Sequence, residues 1–243
     1  MTTANDRTAA GPFEPAALAL LRDWDPAWAD TCARMASTPS RSGVLSPKFT
    51  ELVGLAVNAS ATNLNAEGTR RHIRGALAAG ATRDELVMVL KMASVLTIHT
   101  CSLGAPILLE EAKAAGVTST PKSVATPACD GMKKMGQWNT AWDPFYELDP
   151  VFTDGFMAAG IGLYASRLMT PKEVELLSIA LDASYTHMYA PGTRRHIRGA
   201  LAAGATVDEV MAVLELCVVQ GVQAVNLGLP ILAEELARKP APG

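Results

Sequence analysis

Apolar positions recur at helical spacing along most of the chain, and no stretch alternates apolar and polar residues with the β-branched and aromatic content of a strand. The pattern predicts an all-α protein. Glu85 to Ile98 is apolar at Leu86, Val87, Val89, Leu90, Ala93, Val95 and Leu96, which predicts a helix buried nearly all round and central to its part of the fold. Gly104 and Pro106 predict an interruption, after which Ile107 to Ala115 resumes. Ser46-Pro47 and Thr170-Pro171 pair a hydroxyl cap with proline in the first turn, so a helix should start at each. Thr82-x-x-Glu85 and Thr206-x-x-Glu209 read as capping boxes directly after Gly80 and Gly204, where the preceding helices should end.

The chain repeats itself. Gly68 to Thr82 recurs unchanged as Gly192 to Thr206, and at the same offset of 124 residues Asp25-Pro26 falls on Asp149-Pro150, Glu51-Leu52 on Glu175-Leu176, and Gly104-x-Pro106 on Gly228-x-Pro230. Two copies of so long a unit mean a duplicated domain rather than a solenoid. The division is a first helical repeat at 24–116 and a second at 148–239, with 1–23 as an N-terminal extension. Residues 117–147 lie between the repeats and read as a linker, because Val117 to Gln137 is rich in Thr, Ser, Pro, Lys and Gly and has little periodicity.

Composition narrows the classes. Lys and Arg (21) against Asp and Glu (24) give a net charge of -3, without the basic excess that nucleic acid would need. With 49% hydrophobic and 19% charged residues and a mean hydropathy of +0.17, the chain reads as globular, with more apolar surface than a monomer needs. No uninterrupted apolar run approaches the ~20 residues of a membrane span, and Met1 to Gly11 carries no apolar signal region, so no membrane partner and a cytoplasmic location are expected. Cys32, Cys101, Cys129 and Cys217 are scattered, without C-x-x-C or metal-ligand spacing, as suits free thiols.

Within the repeated run, His72 and His196 fall about 90° from the centre of the apolar stripe Ile73, Ala76, Leu77 and Gly80 on a helical wheel. Arg70 and Arg74 occupy the other shoulder, and Arg71 points most nearly outward. Imidazole is the side chain best suited to proton transfer near neutral pH, although a satisfied structural histidine fits the same position. Glu51 and Glu175 sit on otherwise apolar helices and need partners. Asn58 and Asp182 return to the same face two turns on, roughly 10 Å along the axis, making Glu175 and Asp182 a carboxylate pair spaced for one small molecule. The copies differ in titratable groups: the second has Asp182, Tyr185, His187 and Tyr189 where the first has Asn58, Ala61, Asn63 and Asn65, and the first has His99 where the second has Gln223. The second copy is therefore expected to carry most of the chemistry.

The pattern Glu-Leu-x-x-Leu-Ala, then His-x-x-x-Ala-Leu-x-x-Gly-Ala-Thr-x-x-Glu, then Gly-x-Pro resembles the carboxymuconolactone decarboxylase family, which includes the alkylhydroperoxidase D branch. The resemblance covers both repeats and implies an all-helical fold assembled into rings, here a homotrimer or other homo-oligomer. It also implies where the thiols of the peroxidase branch would stand, and this chain has Asn65, Gly68, Tyr189 and Gly192 at those positions, which disfavours thiol peroxidase chemistry. What remains implied is a lyase without cofactor or metal that decarboxylates a small carboxylated lactone, or a related proton-transfer enzyme on an acidic or phenolic ring compound of aromatic catabolism. In that scheme His196 gives the proton, Glu175 orients it, Tyr185 or His187 steadies the enolate, and Arg194 or Arg198 holds the substrate carboxylate. Asp182 and Tyr189 line the site, and Glu51, His72 and His99 are the first copy's contributions. A non-catalytic ligand-binding or scaffolding oligomer of the same fold is the alternative, and metal-assisted hydrolysis by Glu and His a more distant one.

Overall fold

In the computed structural model the described residues are 12–120 and 122–238, so the polar stretch Met1 to Gly11 and the last residue of the second repeat lie outside them. Among the described residues there is no strand. The helices are α1 (Pro15–Trp24), α2 (Pro26–Arg41), α3 (Pro47–Ala59), α4 (Ala66–Ala78), α5 (Arg83–Val95), α6 (His99–Ala114), α7 (Pro127–Lys134), α8 (Asp143–Leu148), α9 (Pro150–Ala165), α10 (Pro171–Ala183), α11 (Ala190–Ala202), α12 (Val207–Val218) and α13 (Gln223–Ala237). The chain folds as two compact units that cut across the repeats: one holds residues up to Thr82 and from Pro171, the other Arg83–Thr170.

In the first unit, the α3–α4 hairpin of one repeat and the α10–α11 hairpin of the other are built alike. Ser46 accepts a hydrogen bond from the Phe49 amide and caps α3. Thr206 and Glu209 form the expected capping box, each binding the other's backbone amide, a motif worth about 1 kcal/mol. Gly80 and Gly204 both adopt φ +87°, and the amides of Ala81 and Ala205 reach back to the carbonyls of Ala76 and Ala200 at 2.8 Å, closing both helices with the left-handed glycine turn. Helices α3 and α10 are the most enclosed: Leu52, Val53, Leu55, Ala56 and Val57, with Leu176, Leu177, Ile179 and Ala180, are almost wholly buried. A second cluster joins Phe13 and Leu18 near the N-terminus to Ala29, Cys32 and Ala33 of α2 and to Val219 and Val222.

The second unit corrects three expectations. Glu85–Ile98 is not buried all round, because Val87 and Leu90 on α5 are exposed while Leu86, Met88, Val89, Met92 and Ala93 face inward. The break in the apolar stretch falls at a tight 3-10 turn, Leu96–Ile98, and α6 then runs through Gly104 and Pro106 without stopping. Proline removes one helical hydrogen bond and can bend a helix without ending it. The stretch read as a linker contains α7 and α8, whose Cys129, Met132 and Trp142 pack with Ile98 and Met157 in a core of their own. Two helical stretches, Arg83–Ala114 and Val207–Ala237, are also long and apolar enough to cross a bilayer by length and composition, which run length alone had ruled out. Of their most apolar windows 39% and 44% are buried in the protein.

Candidate active site

The two hairpins of the first unit each hold a histidine against a glutamate. His196 Nδ1 lies 2.6 Å from Glu175 Oε2, and His72 Nδ1 lies 2.8 Å from Glu51 Oε2. An ionised carboxylate only accepts, so Nδ1 carries the hydrogen and Nε2 of each ring faces away from its glutamate. The partner that Glu51 and Glu175 needed on their apolar helices is thus the histidine of the repeated run.

Glycine makes this approach possible. A Cβ at Gly75 would stand 2.4 Å from the Glu51 carboxyl carbon, one at Gly199 2.6 Å from that of Glu175, one at Gly68 2.0 Å from Asn58 Oδ1, and one at Gly192 1.9 Å from Asp182 Oδ2. The face of the run that packs inward is therefore the small one, Gly68, His72, Gly75 and Ala76, with its second-copy counterparts, and Leu77 and Leu201 are exposed. The wheel drawn on Ile73, Ala76, Leu77 and Gly80 misplaces this face by leaving out Gly68 and Gly75. It misplaced the arginines with it: Arg70, Arg74, Arg194 and Arg198 are exposed, while Arg71 and Arg195 are half-buried on the shoulder of the inner face.

The two copies then diverge as their sequences do. In the second, Asp182 is buried and its Oδ2 stands 3.7 Å from His196 Nε2, so the imidazole fills the gap between the two carboxylates that had been assigned to a small molecule. Burial pushes the Asp182 carboxyl up to about 7, against the pull of the nearby His196 and Arg195 charges and with a further push from Glu175. In the first copy Asn58 donates from Nδ2 to the Gly54 carbonyl and to Gln220 Oε1, both at 2.8 Å, so an amide network replaces the acid. The His72 ring also leans on Gly54, where a Cβ would meet it at 2.3 Å. The second copy has Ser178 at that position, so His196 cannot lie as His72 does.

Between each hairpin's helices runs the same tight turn. Asn65 and Tyr189 donate their amides back to the carbonyls of Asn58 and Asp182, and Leu64 and Met188 take the left-handed conformation at φ 51° and 53°. The turns meet through Thr62 and Thr186, whose hydroxyls are 3.0 Å apart. In the second turn Tyr185 is exposed, and the His187 and Tyr189 rings lie half-buried with centroids 5.8 Å apart. Burial holds the His187 ring below the usual imidazole range. His99 opens α6 in the other compact unit, half-buried.

Positions that would carry thiols in a peroxidase have other work: Asn65 caps α4 by accepting the Gly68 amide at 2.9 Å. Cys32, Cys129 and Cys217 are poor nucleophiles, since burial pushes Cys32 up, Cys129 to about 11 with help from Asp154, and Cys217 to about 12.

The carboxymuconolactone decarboxylase family model matches residues 22–98 and 150–234, one match on each repeat. The chain belongs to the carboxymuconolactone decarboxylase family. It is similar to a crystal structure from Burkholderia xenovorans LB400, provisionally described as a gamma-carboxymuconolactone decarboxylase subunit, at 32% identity and a TM-score of 0.86, covering 97% of this chain and 98% of that one. That likeness extends over the tandem arrangement as a whole. Among curated proteins none matches the chain.

Proposed function

We propose that the protein is a cofactor-free carbon–carbon lyase, or a closely related proton-transfer enzyme, acting on a small carboxylated lactone or ring-derived acid through the second copy. The observation that supports this most is the buried imidazole of His196 set between Glu175 and Asp182, one carboxylate at hydrogen-bond distance and the other titrating near neutrality. In a decarboxylation the bond from ring carbon to carboxylate breaks, carbon dioxide leaves, and the electron pair moves through the ring alkene onto the lactone carbonyl oxygen. A proton must then return to carbon. His196 supplies it from Nε2, Glu175 holds the ring by Nδ1, and Asp182 re-supplies the proton. Tyr185 or His187 donates to the enolate oxygen, where a positioned donor acts on charge that develops only in the transition state. Tyr189 lines the site, and neither metal nor redox cofactor takes part.

The chain acts as a homo-oligomer, in this reading a trimer, in the cytoplasm. Leu103, Ile107 and Leu108 of α6, and Leu227, Ile231, Leu232 and Leu236 of α13, are exposed in numbers a lone chain does not need.

A second reading, a ligand-binding oligomer without turnover, draws on one fact: the His72 and His196 side chains are only 13% and 10% exposed. Incubation of the purified protein with carboxylated unsaturated lactones, followed by loss of ultraviolet absorbance, separates the two. Turnover supports the lyase; saturable binding without turnover supports the binder and removes the lyase.

A further inference from the structure

Helix α11 has a second working side. Gly192, His196 and Gly199 pack inward, whereas Ala190, Thr193, Arg194 and Ile197 return at helical spacing on the side turned away from those glycines. With Ala183 at the end of α10 and Met188 of the turn, they line a hollow of about 470 Å³. That lies within the roughly 300 to 1,000 Å³ of clefts that take small molecules. Its walls are apolar apart from two groups. The Thr193 hydroxyl donates to the Tyr189 carbonyl at 3.0 Å, so its proton is spent, and of the lining residues only Arg194 is charged. Met188 is 72% exposed, and its unbranched thioether is a side chain that re-packs around a guest.

The other copy shows what sets this arginine apart. Ala59, Ala66, Thr69, Arg70 and Ile73 are the same residues 124 positions earlier, with Leu64 in the place of Met188. Arg70, however, has Glu67 one turn before it, Nε to Oε1 at 3.9 Å, and in α11 that place is taken by Pro191. Helix α11 carries no acidic residue, and among the described residues no carboxylate pairs with Arg194.

We propose that this hollow binds a small acid with an apolar body, an aryl or alicyclic carboxylate, whose ring lies against Met188, Ala190 and Ile197 and whose charge meets Arg194. An exposed guanidinium alone holds a carboxylate weakly in water, so the apolar wall supplies much of the affinity. The site is apart from His196, and it stands whether or not the second copy turns over a lactone. Arg194 then holds an anion, as the family resemblance implied, but not beside the imidazole.

Equilibrium dialysis against 2-naphthoate, repeated with acetate and with 2-naphthamide, tests both halves of the recognition. The parent should bind 2-naphthoate saturably at low ionic strength, and acetate and 2-naphthamide at least tenfold more weakly; the 2-naphthoate affinity should fall as salt is raised. Arg194→Gln should weaken 2-naphthoate binding at least fivefold and leave 2-naphthamide unchanged, while Arg194→Lys should keep most of the parent's affinity. Pro191→Glu restores the first copy's acid at a position where Glu67 already fits the helix, and should weaken 2-naphthoate binding at least threefold. Met188→Asn, which suits the left-handed backbone and strips the apolar wall, should weaken both naphthyl compounds alike. His196→Ala should leave 2-naphthoate binding as it is. Thermal melts and light scattering establish that each variant keeps its fold and assembly. No saturable binding of 2-naphthoate, equal binding of the amide, binding unaltered by Arg194→Gln or by Pro191→Glu, or binding lost in folded His196→Ala each overturns the proposal. So does a loss of assembly in folded Arg194→Gln or Met188→Asn, which would make the hollow a contact between copies of the chain.

Discussion

Replacing Asp182 by the residue that the first copy uses at the same place isolates the feature that separates the two sites. Asp182 is 3% exposed and its carboxyl is pushed from an ordinary 3.8 up to about 7, chiefly by burial. The folded protein therefore holds this proton more tightly than the unfolded chain, and stability falls as pH rises from about 4 through about 7, then levels off. At about 1.4 kcal/mol per pH unit, the span is worth about 4 kcal/mol as an upper bound. Asp182→Asn removes the titration, and the new amide can donate to the Ser178 carbonyl as Asn58 does to Gly54. The variant should thus gain about 2 to 4 kcal/mol on the parent at pH 8.5 relative to the difference between them at pH 4.5. Urea denaturation at constant ionic strength, run for both proteins at both pH values, reads this directly. A difference that does not change with pH would refute the burial argument, and with it the idea that Asp182 stores a proton beside His196 at neutral pH.

Three further outcomes follow from the same geometry. Gly199→Ala puts a methyl group against the Glu175 carboxylate and should lower kcat at least tenfold by displacing the imidazole's anchor, whereas Gly75→Ala, which crowds Glu51 in the same way, should cost less than threefold; steady-state kinetics compare them, and both should lose about 1 to 3 kcal/mol to overpacking in denaturation. Light scattering should give three times 25.5 kDa, and a monomer at micromolar concentration would leave the exposed leucines and isoleucines of α6 and α13 without explanation. Dialysis against a chelator should leave the rate unchanged, and activity that falls and returns with a divalent ion would turn Glu175, His196 and Asp182 into ligands.

Much of the fold is legible in residues that carry conformational information of their own. Ser46, Thr206 and Gly204 set helix ends by local hydrogen bonding and φ, and the duplication needs only comparison of the chain with itself. The site's inner face is hidden for the opposite reason. Its packing surface is made of Gly68, Gly75, Gly192 and Gly199, which leave no hydrophobic signal, so a wheel weighted by apolar side chains turns α4 and α11 the wrong way and points the half-buried Arg71 outward. The steric signal was present, since glycine mid-helix costs about 1 kcal/mol and persists where something must come close. Gln220, partner of Asn58, was also overlooked, although a polar residue in so apolar a stretch invites a search for its mate. Helices α7 and α8 are short, 8 and 6 residues, and their core rests on a few isolated side chains rather than on a periodic face.

The central claim is that the duplicated chain works through one copy, with His196 as its proton donor. Measuring kcat on a carboxylated lactone for His196→Ala and His72→Ala, in variants that keep the parent's oligomeric state, tests it most directly. Loss of a positioned acid costs about 10²- to 10⁴-fold, so the first variant should fall at least ~100-fold and the second less than about tenfold. Equal losses would mean that both copies work, and a loss confined to His72→Ala would mean that the active site is the first copy.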